Sequence, residues 1–247
     1  AGQRPRHEVR CPDFFITDEP LNLSQLSSIL DSELSLGDEM IWNKQRLTAI
    51  ISLLNENIAE LGDEFEGDWE VRCPTQSEWI HAKTTDKIKP KSGTKEILAD
   101  AVSSNYRGAM MDGRPRVFDG HGPMQWHTAT MEIHPSNNSI HALSSAPMDR
   151  DSHGLLLRLV ITPIRKGPAV IVPKKADYGA NIRSELLWTT MLGVFPSFAI
   201  PWLRGMGDYV YSGWFNLLFG GLCAGFVTGA FWRPRRPVIM FEDGEHQ

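Results

Sequence analysis

Leu186–Leu203 (LLWTTMLGVFPSFAIPWL) and Tyr209–Trp232 (YVYSGWFNLLFGGLCAGFVTGAFW) contain no charged residue, and their reading decides how this chain is built. A bilayer core about 30 Å thick takes roughly 20 residues of helix at about 1.5 Å each, so either run is long enough to cross. The short polar link Arg204-Gly205-Met206-Gly207-Asp208 joins them in the pattern of a helical hairpin. Lys174, Lys175 and Arg183 precede the first run, Arg233, Arg235 and Arg236 follow the second, and the link has only Arg204. By the positive-inside rule both flanks, and with them the rest of the chain, belong in the cytoplasm. Pro196 and Pro201 leave open a re-entrant or interfacial first run, which would put the domain on the other side.

Outside these runs the 247-residue chain is of mixed polarity. It has room for one soluble domain of about 175 residues. A net charge of −5 without a basic stripe argues against nucleic acid as the main partner. Cys11, Cys73 and Cys223 form no even disulfide framework, since Cys223 lies inside the second run. A Cys11–Cys73 bridge is the one pairing left open. Ala1–Arg10 (AGQRPRHEVR) is polar and basic, unlike a signal peptide.

Local patterns give the domain's elements. Phe14-Phe15-Ile16 reads as a strand, and Leu23, Leu26, Ile29 and Leu30 recur at helical spacing. Ile41, Leu47, Ile51, Leu54, Ile58 and Leu61 form a second helical stripe, with Asn43, Lys44, Gln45, Asn55 and Glu56 off it. Thr75-Gln76-Ser77-Glu78 is a capping box, in which hydroxyl and carboxylate satisfy each other's orphan backbone N–H groups, so a third helix starts there. A fourth helix is expected over Lys95–Ala101, and a buried strand, interrupted by Arg158, over Leu155–Ile161. Between them, Asn105–Met148 reads as irregular chain, too long for a plain connector.

In this order the pieces resemble the formylglycine-generating enzyme (sulfatase-modifying factor) superfamily, a variant of the C-type-lectin fold. Arg4-Pro5-Arg6-His7-Glu8-Val9, Phe14-Phe15-Ile16 and Pro20-Leu21-Asn22 match its opening segments. Arg72-Cys73-Pro74-Thr75-Gln76-Ser77-Glu78-Trp79-Ile80-His81-Ala82 is similar to its signature Arg-Leu-Pro-Thr-Glu-x-Glu-Trp-Glu-x-Ala. Asp119–Trp126 and Leu156–Val160 echo two later segments. The resemblance spans roughly residues 4–163 and implies an α+β domain with much irregular structure, here followed by two transmembrane helices. The family's oxidases hold copper with a cysteine pair in the C-terminal third, a soft-ligand site. No cysteine lies between Cys73 and Cys223, so the resemblance implies a non-oxidase member. The family's calcium-binding turn is also altered, with Pro123 where its Asn belongs.

Candidate chemistry is concentrated in the irregular stretch. His121, His127, His134, His141 and His153 lie near Asp119, Glu132, Asp149 and Asp151. Imidazole suits zinc, iron or copper, yet no spacing here fixes two ligands on one side of an element. The plain alternative is a hydrated loop carrying ordinary histidines. Cys73 stands where the family has a buried Leu and reads as a small buried hydrophobe. Gly221, Gly225 and Gly229 form a small-residue face for packing against the first run, a second copy or another membrane protein.

The expected organisation is a soluble domain over 1–166, a linker over 167–185, a hairpin over 186–232 and a polar tail over 233–247. The expected function is a membrane-anchored accessory module that binds a protein segment or small ligand through Arg116, His121, Trp126 and His127, with no metal or cofactor assigned. Trp126 would stack, Arg116 would pair an anion and the histidines would hydrogen-bond. The alternatives are a metal-dependent enzyme using the His121–His153 region and a structural subunit of a membrane complex.

Overall fold

The structure, a computed structural model, describes residues 5–22, 24–26, 41–60, 67–118, 120, 122–136, 140–175, 178–231 and 238–241. The chain divides into two units, Ala1–Pro173 with Val238–Gln247, and Lys174–Pro237.

The first unit is α+β. Its elements run β1 (Phe15–Ile16), α1 (Lys44–Glu60), β2 (Trp69–Arg72), α2 (Gln76–Thr84), β3 (Lys95–Ala101), β4 (His127–Ile133), β5 (Ile140–Pro147), β6 (Leu155–Leu156) and β7 (Val160–Pro163), with a 3₁₀ turn at Pro123–Trp126. A three-stranded sheet has the order β1-β7-β2 and a four-stranded sheet the order β5-β4-β3-β6. All pairings are antiparallel except β3 with β6.

Helix α1 forms where the stripe places it. Asn43 caps it, its Oδ1 accepting from Arg46 N at 2.9 Å. Ile50 and Leu54 bury against Val71, Ile97 and Leu157, with Leu47, Ile51 and Ile58 packed beside them. Leu61 lies outside the described residues, as do Ile29 and Leu30. Asn55, off the apolar stripe, pins α1 to β2: its amide accepts from Val71 N at 2.7 Å and donates to Val71 O at 2.8 Å.

The Arg72–Ala82 stretch is built around a buried ion pair. Thr75 caps α2, and both bonds of the capping box are present. The Glu78 carboxylate that closes the box also takes two bonds of 2.8 Å from the Arg72 guanidinium. Trp79, fully buried, donates from Nε1 to Glu96 at 2.7 Å. Glu96 in turn receives the Arg158 guanidinium at 2.7 and 2.9 Å, so the arginine that interrupts the predicted strand is neutralised inside the core.

Three expectations are corrected. Lys95–Ala101 is a strand, not a helix. Its Ile97 enters the cluster around α1 whereas the next residue, Leu98, enters the cluster around Trp79. Only the period-two alternation of a strand sends neighbours to opposite faces, so tertiary packing overrides the helix propensity of Glu, Leu and Ala. Asn105–Met148 contains the β4–β5 hairpin, in which Ala129, Met131 and Ile133 alternate into the core. The predicted strand Leu155–Ile161 is broken into β6 and β7.

The predicted domain borders also shift. Val170 and Val172 are bound into the first unit, through Met111 N to Val170 O at 2.8 Å and Val172 N to Ala109 O at 2.9 Å. Part of the predicted polar tail returns to the same place. Ile239 bridges His7, with bonds of 2.8 and 3.0 Å to Glu8 and Arg6, and the Arg10 guanidinium lies 4.9 Å over the Phe241 ring. Ala109, Met111 and Val172 thus share one small core with Val170, Ile239 and Phe241.

The second unit is helical: α3 (Tyr178–Thr189), a π turn (Thr190–Val194), α4 (Phe195–Leu203), α5 (Gly207–Ser212) and α6 (Trp214–Phe231). Helix α3 begins inside the predicted linker. The π turn precedes Pro196, whose ring supplies no N–H and crowds the carbonyl one turn back. Ile182–Leu203 is one continuous helical stretch of 22 residues, long and apolar enough to cross a membrane, and Trp214–Thr228 is a shorter apolar helix. A Cβ on Gly193 would stand 2.1 Å from Gly221 O and 2.6 Å from Gly225 Cα, so these glycines let the two backbones touch. Gly221 and Gly225 are therefore filled by the chain's own first helix. Of the three packing partners the sequence left open, the helix carrying Gly193 is the one seen against Gly221 and Gly225. Gly229 lies one turn further along α6.

Candidate binding cleft

A cleft of about 370 Å³ opens in the first unit beside α1. Lys44, Leu47, Thr48 and Ile51 supply one wall. Their spacing of three, four and seven residues sets them on one helix face. Cys73 at the end of β2, Leu98 and Ala99 on β3, and Met148 after β5 complete an apolar floor. Pro115, Gln125, Trp126, His127 and Thr128 close the other side.

Backbone hydrogen bonds fix the spacing of the rim. Met148 N donates to Trp126 O at 2.7 Å, and Lys44 N donates to Met148 O at 2.8 Å. This relay sets the Lys44 ammonium 5.5 Å from the centre of the Trp126 ring, within cation–π range. Both side chains are exposed, with Trp126 44% accessible. The His127 ring is held by a 3.3 Å contact from Nδ1 to Ser145 Oγ.

Two further polar groups at the cleft, Arg72 and Cys73, are committed to the fold. Arg72 is bound by Glu78 and Glu70. Cys73 is 2% exposed, and burial pushes its thiol up to about 12, so it is neutral and serves as apolar lining. Cys11 is likewise pushed up to about 11, chiefly by burial. Both are free thiols, so the Cys11–Cys73 bridge left open by the sequence is not formed.

The predicted site residues are divided. Trp126 and His127 meet at this cleft, whereas Arg116 lines a separate hollow of only about 40 Å³ with Asp100, Tyr106 and His7. There the Arg116 guanidinium donates to the Asn105 and Arg107 carbonyls, and the Arg116 backbone N–H donates to Asp100 Oδ1 at 2.7 Å. Asp100 also accepts from Gln76 N at 2.6 Å, and burial raises its carboxyl above the ordinary range. Arg116 thus braces a loop and is not brought together with Trp126 and His127. His121 and Asp119 lie outside the described residues. His134 Nδ1 accepts from Ser136 N, and Asp151 accepts from Asn43. Among the described residues no three His, Cys, Asp or Glu side chains form a metal-ligand group.

Sequence reading missed Lys44, Met148 and Ile51 as cleft residues. The signal for α1 was present, but nothing local told which helix face would stop short of the sheet. Comparisons with models of protein families, with curated proteins and with solved structures each find no match.

Proposed function

We propose that this protein is a membrane-anchored binding module, similar to the formylglycine-generating enzymes in its first unit but without their oxidase chemistry. Two antiparallel spans hold it, the first unit lies on the cytoplasmic side, and the ligand enters the cleft at Trp126 and His127. The observation that carries the anchor is the return of the chain. Residues on both sides of the helical unit, Val170–Val172 and Ile239–Phe241, are tied into one small core. Both ends of the helical unit must then lie on the same side of a bilayer, which requires an even number of crossings.

Lipid exposure supports the reading. Leu186, Phe195, Ile200, Phe215, Phe219 and Phe226 are all more than half exposed, which water would penalise and hydrocarbon would not. At about 1.5 Å per residue, Ile182–Leu203 reaches roughly 33 Å and Trp214–Phe231 roughly 27 Å, near the hydrocarbon thickness. Trp202, Tyr209, Tyr211 and Trp214 gather around the link, as interfacial aromatics do at the end of a span. Lys174 and Lys175 before the spans, Arg183 in the first turn of the first, and the arginines after the second favour the cytoplasmic side. The Arg72–Ala82 resemblance is supported by the completed capping box and the buried Trp79.

Single-cysteine labelling in sealed vesicles tests this. Lys175→Cys and Met240→Cys should react with an impermeant maleimide from one face, and Asp208→Cys from the other. Labelling of all three from one face would overturn the two-span reading in favour of an interfacial one.

A further inference from the structure

The chemistry of the cleft narrows what it can hold. Its floor of Leu47, Ile51, Cys73, Leu98, Ala99 and Met148 offers almost nothing to a hydrogen-bonding group. Its ionisable lining is, besides the neutral Cys73 thiol, Lys44, Arg72 and His127, and among the described lining residues none is acidic. Arg72 is already neutralised by two glutamates. Lys44 pairs with no carboxylate among the described residues, and its one ring contact is the Trp126 face. The cleft therefore sets a single uncompensated cation and an exposed indole above an apolar trough. A volume of about 370 Å³ falls near the lower end of the roughly 300–1,000 Å³ typical of small-molecule sites.

We propose that this cleft binds a small amphipathic anion, a compact aliphatic or aromatic body bearing one carboxylate. The body lies on Met148, Leu47 and Ile51 against the Trp126 ring, and the carboxylate meets the Lys44 ammonium at the rim. Charge complementarity selects the anion, and the apolar floor selects the body. A polyanion such as a nucleotide would find one uncompensated cation only, and those hydroxyls of a sugar that face the apolar floor would stay unpaired. The proposal rests on the binding-module reading and names its ligand class.

The test is titration of the full chain in zwitterionic lipid nanodiscs with octanoate and phenylbutyrate, each against its neutral amide, with empty nanodiscs as the baseline. Each carboxylate should bind about fivefold tighter than its amide, the worth of one partly exposed ion pair. Lys44→Met should abolish that difference and leave amide binding in place. Ile51→Trp, which fills the trough, should lower the affinity of both at least tenfold, by an overpacked pocket. Trp126→Ala alters an exposed side chain and should weaken both about threefold, so the test survives an Ile51→Trp chain that fails to fold. Equal binding of acid and amide, still sensitive to Trp126→Ala, would overturn the anionic class and keep the cleft as the site. Uptake unmoved by every substitution would reveal lipid partitioning and overturn the proposal, while the labelling pattern above would judge the anchor separately.

Discussion

The two units handle polarity in opposite ways. In the first, charge is on the inside: Arg158 is fully buried and Glu96 1% exposed, held together by paired bonds and by Trp79. In the second, the large apolar side chains face outward, and the seam between helices is made of Gly193, Gly221, Gly225 and Ser197. Ser197 Oγ lies 2.7 and 2.8 Å from the Val194 and Leu217 carbonyls, which share its one proton and keep the hydroxyl satisfied at the seam. In the first unit, burial of Leu, Ile and Trp removes apolar surface from water, and the charges carried inside with them must be paired. For a second unit in hydrocarbon, as proposed above, that drive vanishes between helices, and close backbone contact through small residues replaces it.

The sharpest way to break this contrast is to unpair the buried charge. Arg158→Ala leaves the Glu96 carboxylate buried and should destabilise the first unit by about 3–5 kcal/mol. Thermal unfolding should shift down strongly while amide exchange in α6 stays as in the parent. Adding Glu96→Leu should recover much of the loss, because the orphaned charge goes with it.

Next in size is a charge on the outward face of the hairpin. Phe226 is 73% exposed. Phe226→Lys should cost about 2.5–3.5 kcal/mol of insertion free energy if it faces lipid. Ser52→Lys, on the exposed side of α1, should change stability by no more than about 0.5 kcal/mol. Fractionation of the two variants after alkaline extraction compares them directly. Full membrane retention of Phe226→Lys would refute the lipid-facing assignment.

Seam packing is expected to be worth somewhat less. A Cβ at Gly225 would meet Thr189 O at 2.8 Å, whereas one at Gly220 meets nothing within 4 Å. Gly225→Val should therefore force the helices apart at about 1–3 kcal/mol, and Gly220→Ala should be silent. Cross-linking of a cysteine pair across the seam reads the separation.

The smallest effect concerns the return of the chain to His7. This ring packs edge-on against Tyr106 at 5.0 Å, and burial lowers its pKa below the usual 6.5 against the opposing bond to Pro5 O. An unfolded chain binds the proton more readily than the folded one, so this contribution is complete above pH about 6.5 and fades as pH falls below it. Stability measured from pH 7.5 to 5 should decline with a slope that His7→Gln removes. An unchanged slope would show that His7 does not govern it.

How much of this was legible follows from how local each signal is. Thr75 and Glu78 sit three residues apart and bond to backbone within the same turn, so the box in the sequence is the box in the structure. Lys95–Ala101 misled because its composition favours helix, and only the two separate clusters receiving Ile97 and Leu98 make it a strand. The β4 alternation of Ala129, Met131 and Ile133 was present in the sequence but masked by the Gly, Pro and His residues around it. Of the residues at the cleft, Trp126 and His127 were picked out by the sequence as polar-aromatic residues in a Gly- and Pro-rich stretch. Lys44 was not, because its place beside Trp126 depends on a relay through Met148, over 100 positions along the chain.

By itself the sequence determined what depends on short-range chemistry: the apolar runs, the capping box, the glycine spacing and the absence of a cysteine pair between Cys73 and Cys223. Tertiary structure alone decided which charges meet, with Arg158 on Glu96, and which face of α1 stays open as a cleft. It alone also brought Ile239 back to His7. Those outcomes rest on contacts between distant segments, whose loop-closure entropy is offset only when the whole core forms at once.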